Sequence, residues 1–271
     1  MKAELRREIG RLRRAPRLGR VWPSGRRAAL SISFDDARPS QVHAGTPALD
    51  RLGVAATFFV LPGPVAAQPA RWREAVAAGH EIGNHTVHHP CSGNFEFSRA
   101  HALEDLTLDD LRRELDEADR QIHELLGITP KVFAYPCGQT FVGRGRDTLS
   151  LVPLITERFA AGRTFNDVTA NSPSRCDLAQ VAAINSDEMT FAQLRPRLES
   201  TLRDGAWLVL GGHEFGECGD PETTAATTLE AVVGWCRDHD VWIETVGAVA
   251  RHLSALTRRD ASDQAASLAQ P

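Results

Sequence analysis

The apolar runs of this 271-residue chain share one habit: nearly all break off onto a cluster of charged or hydrogen-bonding side chains. Residues 28–34 (AALSISF) run into Asp35 and Asp36, and residues 80–84 open onto His85, His88 and His89. Residues 131–135 end at Pro136, Cys137 and Gly138, and residues 208–210 lead through Gly211 and Gly212 to His213. Short apolar runs with such punctuation predict buried strands, and further strands are expected at 55–61 and 241–245. Between them the pattern turns helical. Leu108, Leu111, Leu115, Ile122 and Leu126 lie near helical spacing, closed by Gly127, which predicts a helix over 108–126. Shorter helices are expected at 47–52, 72–78 and 228–238, and a loop at 91–107. Strands alternating with helices specify an α/β fold with a mostly parallel sheet. Polar clusters at the C-terminal ends of strands are where α/β barrels gather their catalytic groups, so an incomplete barrel is expected.

Composition narrows the functional classes. With 42% hydrophobic and 24% charged residues, the chain is neither disordered nor collagen-like nor a coiled coil. No window of about 20 uninterrupted apolar residues exists to cross a membrane. The net charge of −4 hides an asymmetry, because residues 1–27 hold ten Lys/Arg against Glu4 and Glu8. This stretch reads as a solvated basic extension, and no apolar h-region follows it as a cleaved signal requires. A cytoplasmic location is therefore expected. Cys91, Cys137, Cys176, Cys218 and Cys236 are odd in number and contain no CxxC pair, so reduced thiols are expected rather than a disulfide framework.

The polar clusters carry recognisable chemistry. Successive strand residues face opposite sides, so Asp35 and Asp36 can divide their work, one binding a cation and the other acting as a base. His85 and His89 stand at i, i+4, a spacing that puts two imidazoles on one face of a helical turn. With one carboxylate they make a two-His-one-carboxylate set with open positions. Zinc is the first expectation for such a set, and cobalt, nickel or iron accept the same ligands. His213, after a strand and a Gly-Gly pair, is placed to deliver a proton.

Ser33, Phe34, Asp35, Asp36 and Ala37 resemble the TFDDG motif of the polysaccharide deacetylase family (carbohydrate esterase family four, the NodB-homology domain). Residues 79–90 are similar to that family's H-[ST]-x-x-H-P motif with its lead-in, residues 133–138 to R-x-P-Y-G, and residues 208–213 to L-x-L-H. The resemblance implies a distorted (β/α) barrel of about seven strands over 28–255, with a basic extension over 1–27 and a polar tail over 256–271. It implies Asp36, His85 and His89 as metal ligands, and Asp35 as the general base acting on the attacking water. It implies His213 as the general acid at the leaving amine, and the backbone N–H of Cys137 as an oxyanion donor. Zinc remains the expected metal.

Three departures stand out. Ala134 replaces the third motif's Arg, leaving Arg163 as a candidate partner for the base. Cys137 replaces the motif's Tyr. No D-x-x-D-W motif is present, so Asp187, with Asp177 as its rival, is the candidate orienter of His213. Cys91, Cys137 and Cys218 lie close to the motifs, where thiolates would make a softer, closed zinc site; small turn residues are the plainer reading. Phe95, Phe97, Phe141 and Trp207 are candidates for a sugar-stacking wall, set against ordinary core aromatics. The expected function is metal-dependent removal of acetyl groups from N- or O-acetylated carbohydrate. The alternatives are an amidohydrolase of small ureides or cyclic imides, and a silent glycan-binding barrel. An acetylated oligo- or polysaccharide is the expected partner; nucleic acid is not.

Overall fold

In the computed structural model, which describes residues 21–217 and 219–268, the apolar runs become the strands of one parallel sheet. In chain order these are β1 (Ala28–Asp35), β2 (Thr57–Val60), β3 (Glu81–Asn84), β4 (Val132–Ala134), β5 (Ala161–Arg163), β6 (Ile184–Asn185), β7 (Trp207–Gly212) and β8 (Val241–Ile243). Across the sheet they stand in the order β5-β4-β3-β2-β1-β7-β6, with β8 also paired to β1. β1 is the spine. It pairs with β7 from Ala29↔Trp207 to Phe34↔Gly212, and on its other side with β8 early and β2 late. A parallel bridge between Arg163 and Val181 carries the β5 edge towards the segment preceding β6, so the sheet curls back on itself. The result is the distorted (β/α) barrel that the sequence implies.

Eight α-helices accompany the strands among the described residues: α1 (Thr46–Leu52), α2 (Pro62–Ala67), α3 (Pro69–Ala77), α4 (Leu108–Leu126), α5 (Val152–Arg158), α6 (Phe191–Asp204), α7 (Ala226–Asp238) and α8 (Val246–Leu268). α4 has the predicted bounds because both ends are chemically marked. Thr107 and Asp110 form a reciprocal capping box, Gly127 closes the helix at φ 74°, and Leu111, Leu115, Ala118, Ile122 and Leu126 are buried. Strand alternation divides the core. Leu30, Ile32 and Phe34 pack in one cluster with Phe58 and Val60, whereas Ala29 packs in another with Phe59, Ala134 and Val209. Asp35 follows Ala29 in period two, so β1 presents its last carboxylate on the face shared with β4 and β7.

Between 140 and 206 the structure contains β5, β6, α5 and α6 where the sequence pattern marked nothing. Strands of two and three residues are too short to show a period. α8 continues to Leu268, through most of the stretch expected as a polar tail. The 91–107 loop carries two 3-10 turns, Glu96–His101 and Leu103–Asp105. Residues 1–20 of the basic extension and Cys218 lie outside the described residues. Among the described residues no helix is long and apolar enough to cross a membrane.

Candidate metal centre and catalytic site

Strand ends bring the predicted residues together at one edge of the sheet. Asp35 closes β1 with Asp36 next to it, His85 follows β3, and Cys137 lies in the turn after β4. His85 and His89 meet with ring centroids 4.8 Å apart, but not on a helical turn as their spacing predicts. The 85–90 segment is irregular, with Thr86 at φ 68° and His89 at φ 52°; two left-handed residues fold the chain back and turn the second imidazole to face the first. Asp36 Oδ1 stands 3.6 Å from His85 Nε2 and 3.7 Å from His89 Nε2. Ligands held about 2.0–2.1 Å from a tetrahedral zinc stand roughly 3.4 Å from one another.

The donor set fits a cation. Asp36 Oδ1 and His85 Nε2 are both buried without a hydrogen-bond partner, a costly arrangement unless something positive sits between them. His85 Nδ1 is 2.9 Å from the carbonyl of Ala134; donating there leaves the Nε2 lone pair for a metal, the usual support of a ligating histidine. Burial, reinforced by His85, pushes the His89 imidazole down to about 4, so it is neutral and able to ligate near pH 7. Arg38 Nη2 donates to the other Asp36 oxygen at 3.2 Å.

Asp35 is held differently. Burial opposes its charge, but the Arg163 guanidinium, with His85 and His213 nearby, outweighs that and holds the carboxyl below its ordinary range. Arg163 is fully buried, and its Nη2 donates to Asp35 Oδ1. It sits between two rings, 4.8 Å from the centroid of Phe59 and 5.2 Å from that of Phe165, stacking that favours a guanidinium. Arg163 pairs in register with Ala134 on the neighbouring strand. The cation missing from the third motif is therefore supplied one strand over at the same level.

His213 lies beyond β7, with Nδ1 2.7 Å from Asp187 Oδ2 and its backbone N–H donating to Asp187 Oδ1 at 3.1 Å. Burial disfavours the imidazolium. The Asp187 hydrogen bond and the charges of Asp35, Asp187 and Asp36 outweigh it and hold the imidazole above its ordinary value. Asp177 instead caps a 3-10 turn by accepting from Ala179 N–H, so of the two candidates Asp187 is the one brought to His213.

The cysteines differ from expectation. Cys91 and Cys137 form a disulfide across 46 residues of chain with Cα atoms 6.0 Å apart, so they are neither reduced thiols nor a thiolate zinc site. An odd cysteine count does not forbid a single bridge, and no spacing rule identifies partners so far apart in sequence. The bridge joins the loop carrying His89 to the turn carrying the Cys137 backbone N–H. Of the four aromatic candidates, Trp207 is buried with its indole N–H on Ser31 Oγ, and Phe141 packs at the edge of a core cluster. Phe95 and Phe97 are exposed.

Two residues had no signal in the sequence. Gln41 is completely buried, and its amide donates to the carbonyls of both Asp35 (2.5 Å) and His213 (2.7 Å), tying the two strand ends together. Phe165 stands edge-on to His213 at 5.3 Å. Its ring lies so close to Gly211 that a Cβ there would come within 2.6 Å of it. Only glycine at 211 admits this aromatic wall beside His213.

Residues 24–149, a little under half of the chain, match the polysaccharide deacetylase family model. It is 40% identical over 87 residues to a chitooligosaccharide deacetylase of Sinorhizobium fredii, 31% of this chain and 37% of that protein. The chain spans half or less of the length of the curated relatives it matches. Among solved structures, a protein of Mycobacterium smegmatis described as a polysaccharide deacetylase superposes with a TM-score of 0.65 at 18% identity, covering 87% of this chain and 93% of that one. The peptidoglycan deacetylase PdaC of Bacillus subtilis superposes with a TM-score of 0.56 at 16% identity, covering 88% and 97%. At these identities the superpositions establish the fold.

Proposed function

We propose that this protein is a metal-dependent deacetylase of N-acetylated or O-acetylated glycans, with Asp36, His85 and His89 holding a divalent cation, zinc first among the candidates. The observation that carries the reading is the pair of buried, unpartnered ligand atoms, Asp36 Oδ1 and His85 Nε2, beside an ionised Asp35. A cation bound there supplies Lewis acidity to the acyl carbonyl and lowers the pKa of water. Asp35, kept ionised by Arg163, takes the proton of the attacking water. His213, its basicity raised by Asp187, gives a proton to the departing nitrogen, without which an amine anion would have to leave. The Cys137 N–H donates to the developing oxyanion, held in place by the bridge to Cys91. Phe165, edge-on to His213, supplies an aromatic wall on that side of the site.

The disulfide favours an oxidising compartment, in place of the cytoplasm expected from the sequence. An extracytoplasmic glycan of the chitooligosaccharide or peptidoglycan type suits that setting, and the named relatives act on such substrates. The test is acetate release from chitooligosaccharides, acetylated xylooligosaccharides and muropeptides, using metal-stripped protein, metal-restored protein and the Asp35→Ala variant. Release that needs metal and disappears with Asp35→Ala is expected. Metal binding without release from any glycan would transfer the site to a non-carbohydrate amide, and the absence of both would overturn the reading.

A further inference from the structure

Only four large apolar side chains stand exposed among the described residues, and two of them, Phe95 (42%) and Phe97 (68%), are neighbours. Their ring centroids lie 5.5 Å apart with planes inclined at 33°, and Phe97 lies 6.3 Å from the ring of His89. An aromatic pair left in water at the edge of a reaction centre marks a contact surface.

The loop that carries the rings is firmly held. Its base is pinned by the Cys91–Cys137 bridge. The buried Ser98 hydroxyl accepts from the Cys91 N–H at 2.7 Å and donates to the Cys91 carbonyl at 2.8 Å, while Leu103 N–H donates to that same carbonyl. Glu104 accepts from the Ser92 hydroxyl and the Gly93 N–H, and Gln139 accepts from the Ser92 N–H. A mobile loop could tuck its phenylalanines into the core, but this one is bonded in a shape that keeps them out. Such preorganisation spares a ligand the cost of ordering the loop.

We propose that Phe95 and Phe97 form a stacking platform for a pyranose ring of the substrate glycan, one unit removed from the acetylated sugar reacting beside His89; this rests on the deacetylase reading above. A pyranose has an apolar C–H face that packs on an aromatic ring and a hydroxyl rim that requires polar neighbours. The exposed Asn94, Glu96 and Arg99 interleave with the two rings and supply that rim. The platform also adjoins the site through Phe97 and His89, as a chain threading past the metal ligands requires. Two rings among polar residues suit a sugar better than a protein partner, which would need a far larger buried patch.

The test separates binding from turnover. Chitopentaose and xylopentaose are titrated calorimetrically into wild-type protein, Phe95→Ala, Phe97→Ala, the double variant and Phe97→Trp. Each alanine variant is expected to weaken binding of at least one pentasaccharide about tenfold, with Phe97→Trp retaining it. In turnover, KM for the oligosaccharide rises while kcat, and hydrolysis of 4-nitrophenyl acetate, stay within about twofold of wild type. Equal binding by the double variant, or no saccharide binding by the wild type, overturns the platform whatever acetate release shows. Ring-dependent binding without acetate release from any glycan supports the platform and removes the deacetylase reading.

Discussion

Replacing Arg163 with methionine isolates the interaction that holds the charge of Asp35, the proposed base. The side chains of Arg163 and Asp35 are 0% and 5% exposed, so solvent screens the pair weakly and the variant leaves a carboxylate buried without its cation. Breaking a buried pair in this way costs about 3–5 kcal/mol. At roughly 2–4 °C per kcal/mol for a domain of this size, that is a fall in Tm of about 6–20 °C. Methionine fills most of the stem volume between Phe59 and Phe165, and packing alone in a volume-conserving exchange costs under about 1.5 kcal/mol. Asp35→Asn in the same background removes the stranded charge, so the double variant should be more stable than Arg163→Met alone. Urea unfolding of the four proteins, stripped of metal, closes the cycle, with a coupling of at least about 2 kcal/mol expected. A single-variant loss under about 1.5 kcal/mol, or effects that add within about 0.5 kcal/mol, would show that Arg163 contributes packing and does not hold the charge of Asp35.

The other expectations concern the remaining parts of the site. Asp187→Asn removes the negative charge that helps raise His213 while keeping an acceptor oxygen, so the alkaline limb of kcat/KM moves to lower pH in a pH-rate profile; in the wild type the matching stability is present below the ordinary histidine range and lost as pH rises through the raised pKa. His85→Ala and Asp36→Ala should lose metal by elemental analysis after dialysis, whereas Asp35→Asn keeps it and loses about 10²–10⁴ in kcat. Reducing the Cys91–Cys137 bridge, or replacing both cysteines with serine, should cost about 2–4 kcal/mol in urea unfolding, in keeping with the long loop it closes. Gln41→Leu strands two carbonyls and should lower both stability, by about 1–3 kcal/mol, and kcat; a drop in stability with unchanged kcat would make Gln41 purely structural.

What the sequence made legible follows from the range of each signal. β1 and α4 could be read because hydrophobic period, turn residues and caps act within a few positions. The candidate ligand residues, which the structure brings together, could be picked out because their motifs pack the chemistry into adjacent residues at strand ends. Arg163 could only be guessed, since its meaning lies in the pairing of β4 with β5, and a three-residue strand carries no period. The disulfide and the reach of Gln41 to His213 were illegible for the same reason, the partners lying 46 and 172 positions apart. The helical-turn reading of His85 and His89 had the right pair and the wrong backbone, because i, i+4 spacing is also satisfied by a loop with two left-handed residues.

Those left-handed residues point to what holds the site in shape. Ten non-glycine residues among those described have positive φ, and five of them, Asp36, Ala37, Thr86, His89 and Cys137, are in the three loops that form the centre. Each costs on the order of 1–2 kcal/mol against a relaxed backbone, and such conformations persist only where surrounding contacts over-determine them. Here the contacts can be named. Asn84 Oδ1 accepts the Thr86 N–H, Thr86 Oγ1 accepts the His89 N–H, and the bridge from Cys91 fixes the Cys137 turn. None of these groups needs to touch a substrate. They keep Asp36 Oδ1 facing His85 Nε2 and His89 Nε2, so a cation bound there as proposed would require little rearrangement of the loops.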